Sequence, residues 1–319
     1  MSHHFNKKVE PMKIWPGMTV NEMVLQMGRS GAFVAGTISK AVDIYEQMIK
    51  NETYIFLSIA GALVPAGLSK VIATLIRKGL VNAVVSTGAN LVHDVTEAFG
   101  GNFYKGKVNL NDAELFEEKV DRIYDVVVTE KDFNEMFDQP ILKIYKEIDR
   151  QQKGESMSIN EILMEVAKRL PPGDSILRAC YDCGVPLFAP ALSDSVFGLQ
   201  MALYNRTMGG NLRVDAFRDL QAMWDIREKN EDTGAIILGG GVPKNYIFQS
   251  YWFGQKKLGY VIQISLDRPE TGGLSGAPPD EAVSWGKIKR EAPRVVVVSE
   301  VTVALPIIAS ALIERLEKK

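Results

Sequence analysis

The chain has 319 residues, 46% of them hydrophobic and 24% charged, with a formal net charge of -2. That length holds one large or two ordinary domains with a sizeable core. The near-neutral charge, without a long basic run, argues against a nucleic-acid-binding surface. With two cysteines and three histidines, a zinc site would have to recruit distant carboxylates.

The opening segment, MSHHFNKKVEPMKIW, is charged and has no apolar stretch of leader type, so no secretory signal is expected. Residues 1–30 read as an N-terminal extension, with a helical pattern over 17–50. A repeated unit follows, in which an apolar run leads through a turn of small residues into a helix. YIFLSIAG (54–61) leads through Pro65 and Gly67 into a helix closed by Gly79, and VNAVVSTGAN (81–90) leads into LVHDVTEAFGG. Residues 112–170 read as helices added around the core. Cys180 and Cys183 fall in a helical stretch ending at Gly184, where they are expected as ordinary thiols suited to a reducing cytoplasm. The remaining strands are expected within VPLFAPALSD (185–194), GAIILGGG (234–241), GYVIQIS (259–265) and RVVVVSE (294–300). Apolar residues 55–76 contain Pro65 and Lys70, and residues 295–313 contain Glu300 near their middle. A mid-span carboxylate costs about 2.5–3.5 kcal/mol on insertion, so each reads as a strand, a turn and a helix of a soluble protein. β-Branched runs alternating with helices predict an α/β fold with a mostly parallel sheet covered on both faces.

In such sheets ligands bind beyond the carboxyl ends of the strands. The turns there are SIAGAL, STGANLVHD, APALSDS, LGGGVPKN and VSEV. None is a Gly-x-Gly-x-x-Gly fingerprint or a P-loop, but five small-residue turns along one edge suit a nucleotide. Asp194 and Glu300 read equally as ribose acceptors or as helix N-caps. The stretch PPDEAVSWGKIK (278–289) also admits two readings. In one, Pro279 starts a helix with Asp280 and Glu281 in its first turn and Lys287 capping its end; in the other, Lys287 is a nucleophile lodged in a pocket.

DEAVSWGKI (280–288), AIILGGGVPK (235–244), PLFAPALSD (186–194), STGANLVHD (86–94) and GAFVAGTISKAVDIYEQMI (31–49) resemble, in order and spacing, the deoxyhypusine synthase family. The resemblance implies a single Rossmann-like catalytic domain over 31–319, in a cytoplasmic homotetramer with NAD as cofactor. It also implies a reaction without net redox change. A hydride leaves spermidine for NAD, a lysine attacks the resulting imine, and 1,3-diaminopropane departs. The retained butylamine unit then passes to a lysine of a translation initiation factor, and NADH reduces the product. By the same resemblance Lys287 is the nucleophile, Glu281 anchors the polyamine and Trp285 shapes the pocket. Thr87, Gly88, Ala89, Asp194, Gly240, Gly241 and Glu300 match cofactor-binding positions, Glu300 standing where the family has an aspartate.

Several substrate positions depart from the family pattern. Val92 and His93 replace two glutamates, Leu199 and Leu274 replace amine-binding aspartates, and Asn245 replaces a histidine. His93 is read either as an acid/base at the cofactor turn or as a histidine satisfied by a backbone carbonyl. The lost carboxylates point to a shorter or less cationic substrate. Two alternatives therefore accompany hypusine formation: transfer to a free diamine, giving homospermidine or a similar amine, and a non-catalytic NAD-binding paralogue.

Overall fold

The computed structural model describes residues 7–317; the first six residues of the N-terminal extension and the last two of the chain lie outside the described residues. Six parallel strands form the main sheet: β1 (Tyr54–Ile59), β2 (Ala83–Ser86), β3 (Leu187–Phe188), β4 (Thr233–Leu238), β5 (Tyr260–Ile264) and β6 (Arg294–Val297). Their spatial order is β6-β5-β4-β1-β2-β3. The chain thus builds one half of the sheet outward from β1, then returns to lay β4 against the other side of β1. Ile59 pairs with Ser86 on one side and with Leu238 on the other. The direction of winding reverses between β1 and β4, and that reversal opens a crevice at the carboxyl ends of the two strands.

The strands are apolar on both faces, and their alternation divides the core in two. Ile55, Leu57, Ile59, Ile236, Leu238, Ile262 and Ile264 join the larger cluster, whereas Phe56, Ala235, Ile237 and Val261 join the smaller one. The larger cluster is covered by helices that include α1 (Val20–Ser30), α2 (Phe33–Lys50), α3 (Ser69–Arg77) and α4 (Gly88–Ala98). It is further covered by α5 (Gln139–Gln152), α6 (Ile159–Arg169), α7 (Ile176–Cys183) and α8 (Val196–Thr207). On the other face lie α9 (Phe217–Lys229), α10 (Gly241–Gln249) and α11 (Pro279–Ser284). The last helix, α12 (Val301–Glu317), returns to the first face.

α1, inside the segment set apart as an extension, is built into this body. A Thr19–Glu22 capping box starts it, Val24 is fully buried, and Val20 and Asn21 donate their N–H groups to the Glu314 carboxylate of α12.

All six expected strands occur, each within or close to its apolar run. The expectation of helices over 112–170 needs correction. Tyr104–Lys105, Val120–Ile123 and Val126–Thr129 form a separate antiparallel sheet, and helices resume at 130. VDRIYDVVVT is a β-branched run broken at Tyr124, whose φ of 58° makes the turn. The hairpin wins locally because β-branched side chains fit a pleated strand better than a helix. In α7, Cys180 is buried and its thiol pKa is pushed up by burial, while Cys183 is exposed. Among the described residues no helix is long and apolar enough to cross a membrane.

Candidate active site

The crevice at the switch point is walled by turns that only small residues permit. Gly239, at φ +75°, closes β4 by donating to Ile264 O at 2.8 Å, and a Cβ there would lie 3.2 Å from Ala60 O. Gly240 has extended backbone and is required for a different reason: a Cβ would stand 2.4 Å from Ser275 Cα, where the loop after β5 crosses. Gly241, at φ +56°, opens α10 and donates its N–H to Ser275 Oγ at 3.0 Å.

On the other half of the sheet, Thr87 caps α4, and fully buried Asn90 ties its first turn to the β1 loop. Asn90 Oδ1 accepts from Leu63 N at 3.1 Å and Val64 N at 3.3 Å, and its amide donates to Gly61 O. Gly88 lies against Ser195, whose Oγ would be 2.3 Å from an added Cβ. The Thr87–Gly88–Ala89 turn and the Asp194 turn therefore meet, with Ala89 and Asp194 both exposed.

A second cleft, of about 100 Å³, opens between α10, α11 and the loop after β5; its lining includes Lys244, Asn245, Leu274, Glu281, Trp285 and Lys287. Pro279 starts α11, and Asp280 and Glu281 fall in its first turn. The two acids part company there. Arg294 donates to Asp280 through Nε at 2.8 Å and Nη2 at 2.7 Å, which leaves Glu281 as the carboxylate of the cleft. Beyond α11, Gly286 takes φ +69°, and Lys287 N donates back to Ala282 O at 3.0 Å. This tight end turns Lys287 inward instead of leaving it over the helix terminus.

Lys287 is 8% exposed. Its Nζ donates to Gln249 Oε1 at 2.9 Å and stands 5.1 Å from the Trp252 ring centre and 5.6 Å from that of Trp285. Burial lowers its pKa below that of an ordinary lysine. Lys244 shares the cleft but is bound differently. Its Nζ donates to Gln263 Oε1 at 3.2 Å, to Leu274 O at 2.9 Å and to Ala277 O. Burial pushes it down to about 8, against the opposing charge of Glu281. Gln263 in turn donates to Gly239 O and Ser275 O, so Lys244 and Gln263 pin the loop that walls both crevice and cleft.

Of the residues singled out in the sequence, Lys287, Glu281, Trp285 and Asn245 share the cleft, and Gly240 and Gly241 begin the helix that carries Asn245. Thr87, Gly88, Ala89 and Asp194 gather at the ends of β2 and β3. Glu300 occupies the cap of α12, where its carboxylate accepts from Thr302 N at 2.7 Å and from Thr302 Oγ1. His93 stands apart from the cleft lining, packed against Phe103 at 5.3 Å and Phe133 at 5.8 Å. Its Nδ1 is buried without a hydrogen-bond partner among the described residues, and burial pushes the imidazole down to about 4. Leu274 lines the cleft, while Leu199 is exposed on α8 outside it. Lys244, Gln249 and Trp252 were missed in the sequence. The signal for Gln249 was its spacing from Asn245 (i, i+4) on a helix opened by the glycine turn; Trp252 lies on the turn beyond that helix.

A family model described as deoxyhypusine synthase matches residues 22–312. "Probable deoxyhypusine synthase 1" of Methanosarcina acetivorans is 45% identical over 98% of this chain and 96% of its own. Its counterpart of the same name in Archaeoglobus fulgidus is 37% identical over 97% and 98%. Among solved structures, a proposed deoxyhypusine synthase from Entamoeba histolytica superposes with a TM-score of 0.66 at 19% identity, covering 92% of this chain and 93% of that one; at that identity the likeness concerns the fold.

Proposed function

Because the chain belongs to the deoxyhypusine synthase family, we propose that it moves a 4-aminobutyl group from spermidine or a related polyamine to an amine acceptor, with NAD as cofactor and Lys287 carrying the group as an imine. The observation that carries this reading is the state of Lys287: buried, facing two indoles, with a neutral amide oxygen as its hydrogen-bond acceptor. A lysine attacks only as the neutral amine, and removing it from water without a carboxylate partner favours that form.

The residues at the crevice fit a dinucleotide. A Cβ added at Gly61 or Gly241 would meet nothing nearer than 4.0 Å, and the first turns of α4 and α10 face the ends of β2 and β4. Helix N-termini at a switch point attract phosphate oxygens. Thr87, Gly88, Ala89 and Asp194 would hold one part of such a molecule and Gly240 and Gly241 another, with Glu300 at the outer edge. When bound, the dinucleotide supplies a hydride acceptor first and a hydride donor at the end.

The chain's own residues do the rest. Glu281 holds an ammonium group of the donor in the cleft. Gln249 Oε1 fixes one N–H of Lys287 and so directs the lone pair of the neutral amine. That nitrogen bonds to the carbon of the donor imine, and the former donor C–N bond breaks as 1,3-diaminopropane leaves with the electron pair and a proton. The acceptor amine then attacks the same carbon and releases Lys287.

A lysine of a translation initiation factor is the acceptor that family membership favours. One observation favours a second reading. Leu274 and Asn245 line the cleft where a second amine would be gripped, so Glu281 is its single carboxylate among the lining residues. A small free diamine as acceptor, giving homospermidine, suits that lining. The test is mass spectrometry of the amines formed from spermidine and NAD, with and without putrescine or the initiation factor. Release of 1,3-diaminopropane is expected. Its absence with spermidine and with other linear polyamines would refute the transferase reading.

A further inference from the structure

Trp252 is 42% exposed and Trp285 59% exposed, yet both are held firmly. Trp252 follows α10 on a turn tied down on each side. Its neighbour Tyr251 is buried and donates its hydroxyl to Thr233 Oγ1 at 2.7 Å. Buried Arg227 donates to Ser250 O at 2.6 Å and to Phe253 O, spanning the Trp252 backbone. Trp285 is placed by the tight end of α11. The two rings lie 5.2 Å apart at 40°, with Lys287 Nζ within 6 Å of both. A fold gains little by fixing two large apolar rings at its surface unless they receive something. What an indole face receives well is a cation flanked by hydrocarbon.

We infer that Trp252 is a further substrate-recognition residue: with Trp285 it forms an indole pair that takes the ammonium group of a linear alkylamine beside Lys287. This rests on Lys287 being the reacting amine. While Lys287 is neutral, the two π-faces lack their cation and an arriving ammonium fills that place, its methylenes lying along the rings. The pair thus supplies cation recognition at a cleft whose lining offers Glu281 as carboxylate and otherwise Asn245 and Leu274. It selects linear amines by charge and chain together, whereas a neutral chain of equal length satisfies only one requirement.

The chain has four tryptophans, so Trp15→Phe with Trp224→Phe leaves this pair as the reporters of indole fluorescence. In that background, without NAD, spermidine, putrescine and butylamine are titrated against 1-butanol. The amines are expected to change the emission saturably and the alcohol to leave it unchanged. Calorimetry of the full-length protein should show Trp252→Leu weakening spermidine binding about tenfold, while Trp252→Phe, which keeps a π-face, stays within about threefold. In turnover the leucine variant should raise KM and leave kcat nearly unchanged. Unaltered affinity in Trp252→Leu would overturn the inference, as would failure of the parent protein to bind any of the amines. Equal losses in both variants with a lowered Tm would overturn it too, by marking Trp252 as structural. Trp252-dependent amine binding without release of 1,3-diaminopropane would sustain the indole pair and remove the transferase reading.

Discussion

Two places in this molecule push a basic group toward its neutral form, and they do so by the same means. Burial lowers Lys287 and Lys244 in the cleft, and burial lowers His93 between Phe103 and Phe133. What surrounds the groups separates them. Lys287 has an amide acceptor, two indole faces and an opening beside it. His93 has aromatic edges and a buried Nδ1 without a partner among the described residues. A perturbed titration marks chemistry where a cleft brings a reactant to the group; where aromatic side chains pack around it, it marks packing. Inside the cleft the same logic divides the lysines. Lys244 has three acceptors for its three N–H donors and is locked, whereas Lys287 is given one protein acceptor and remains available.

The largest expected effects test that division. Lys287→Ala should lower transfer at least about 10³-fold, because it removes the atom that bonds to substrate, while NAD affinity stays within about twofold. Its Tm should hardly move. Lys244→Met should do the reverse in kind: Gln263 Oε1 and two backbone carbonyls lose their donor, which costs about 2–4 kcal/mol and shows as a lowered Tm. Activity should fall with it through the loosened 274–277 loop. A stable but inactive Lys244→Met protein, paired with a destabilised Lys287→Ala protein, would exchange the roles of the two lysines.

The His93 nest gives the next effect, read in stability against pH. Above about 6.5 the imidazole is neutral in both folded and unfolded chains. As pH falls from there toward about 4, the unfolded chain takes up the proton first, so the folded state loses stability across that window. A loss of about 1–3 kcal/mol is expected between neutral pH and pH 4, and His93→Leu should flatten it. Chemical denaturation at a series of pH values measures both. A transfer rate that collapses in His93→Leu while stability at neutral pH is kept would instead restore the acid/base role.

The sheet was legible because its strands are buried on both faces, so β-branched runs such as those from Ile55 and Val295 announce themselves without an alignment. The turns were legible because close approach leaves only glycine at 88 and 240. The hairpin at 120–129 was not, since its strands are four residues each and only Val128 among them is buried, so their period is easily absorbed into flanking helices. Within the site, Lys287 and Glu281 were found through a motif in one contiguous stretch. Lys244, Gln249 and Trp252 come from another segment and reach Lys287 or its cleft only after α10 packs against α11. Glu300 shows the limit from the other direction: strand-end position suits a ribose contact and a helix cap alike, and here the carboxylate meets Thr302.

The smallest effect probes what the cleft lacks. Leu274→Asp restores a carboxylate at a half-exposed lining position while keeping the backbone carbonyl that accepts from Lys244. If the missing charge is what shapes substrate choice, the KM for spermidine should fall about threefold and that for a monoamine should not change. The gain is modest because Lys244 Nζ, already held at Leu274 O, competes with substrate for the new carboxylate, and because an exposed ion pair is worth about 1 kcal/mol or less. The same competition raises the Lys244 pKa, so stability should rise slightly at neutral pH, where Lys244 is charged, and the gain should fade as pH rises through that raised pKa. An unchanged or higher KM together with that stability gain would mean the new carboxylate is captured by Lys244, and recognition of the second amine would then lie with the indoles at the cleft mouth.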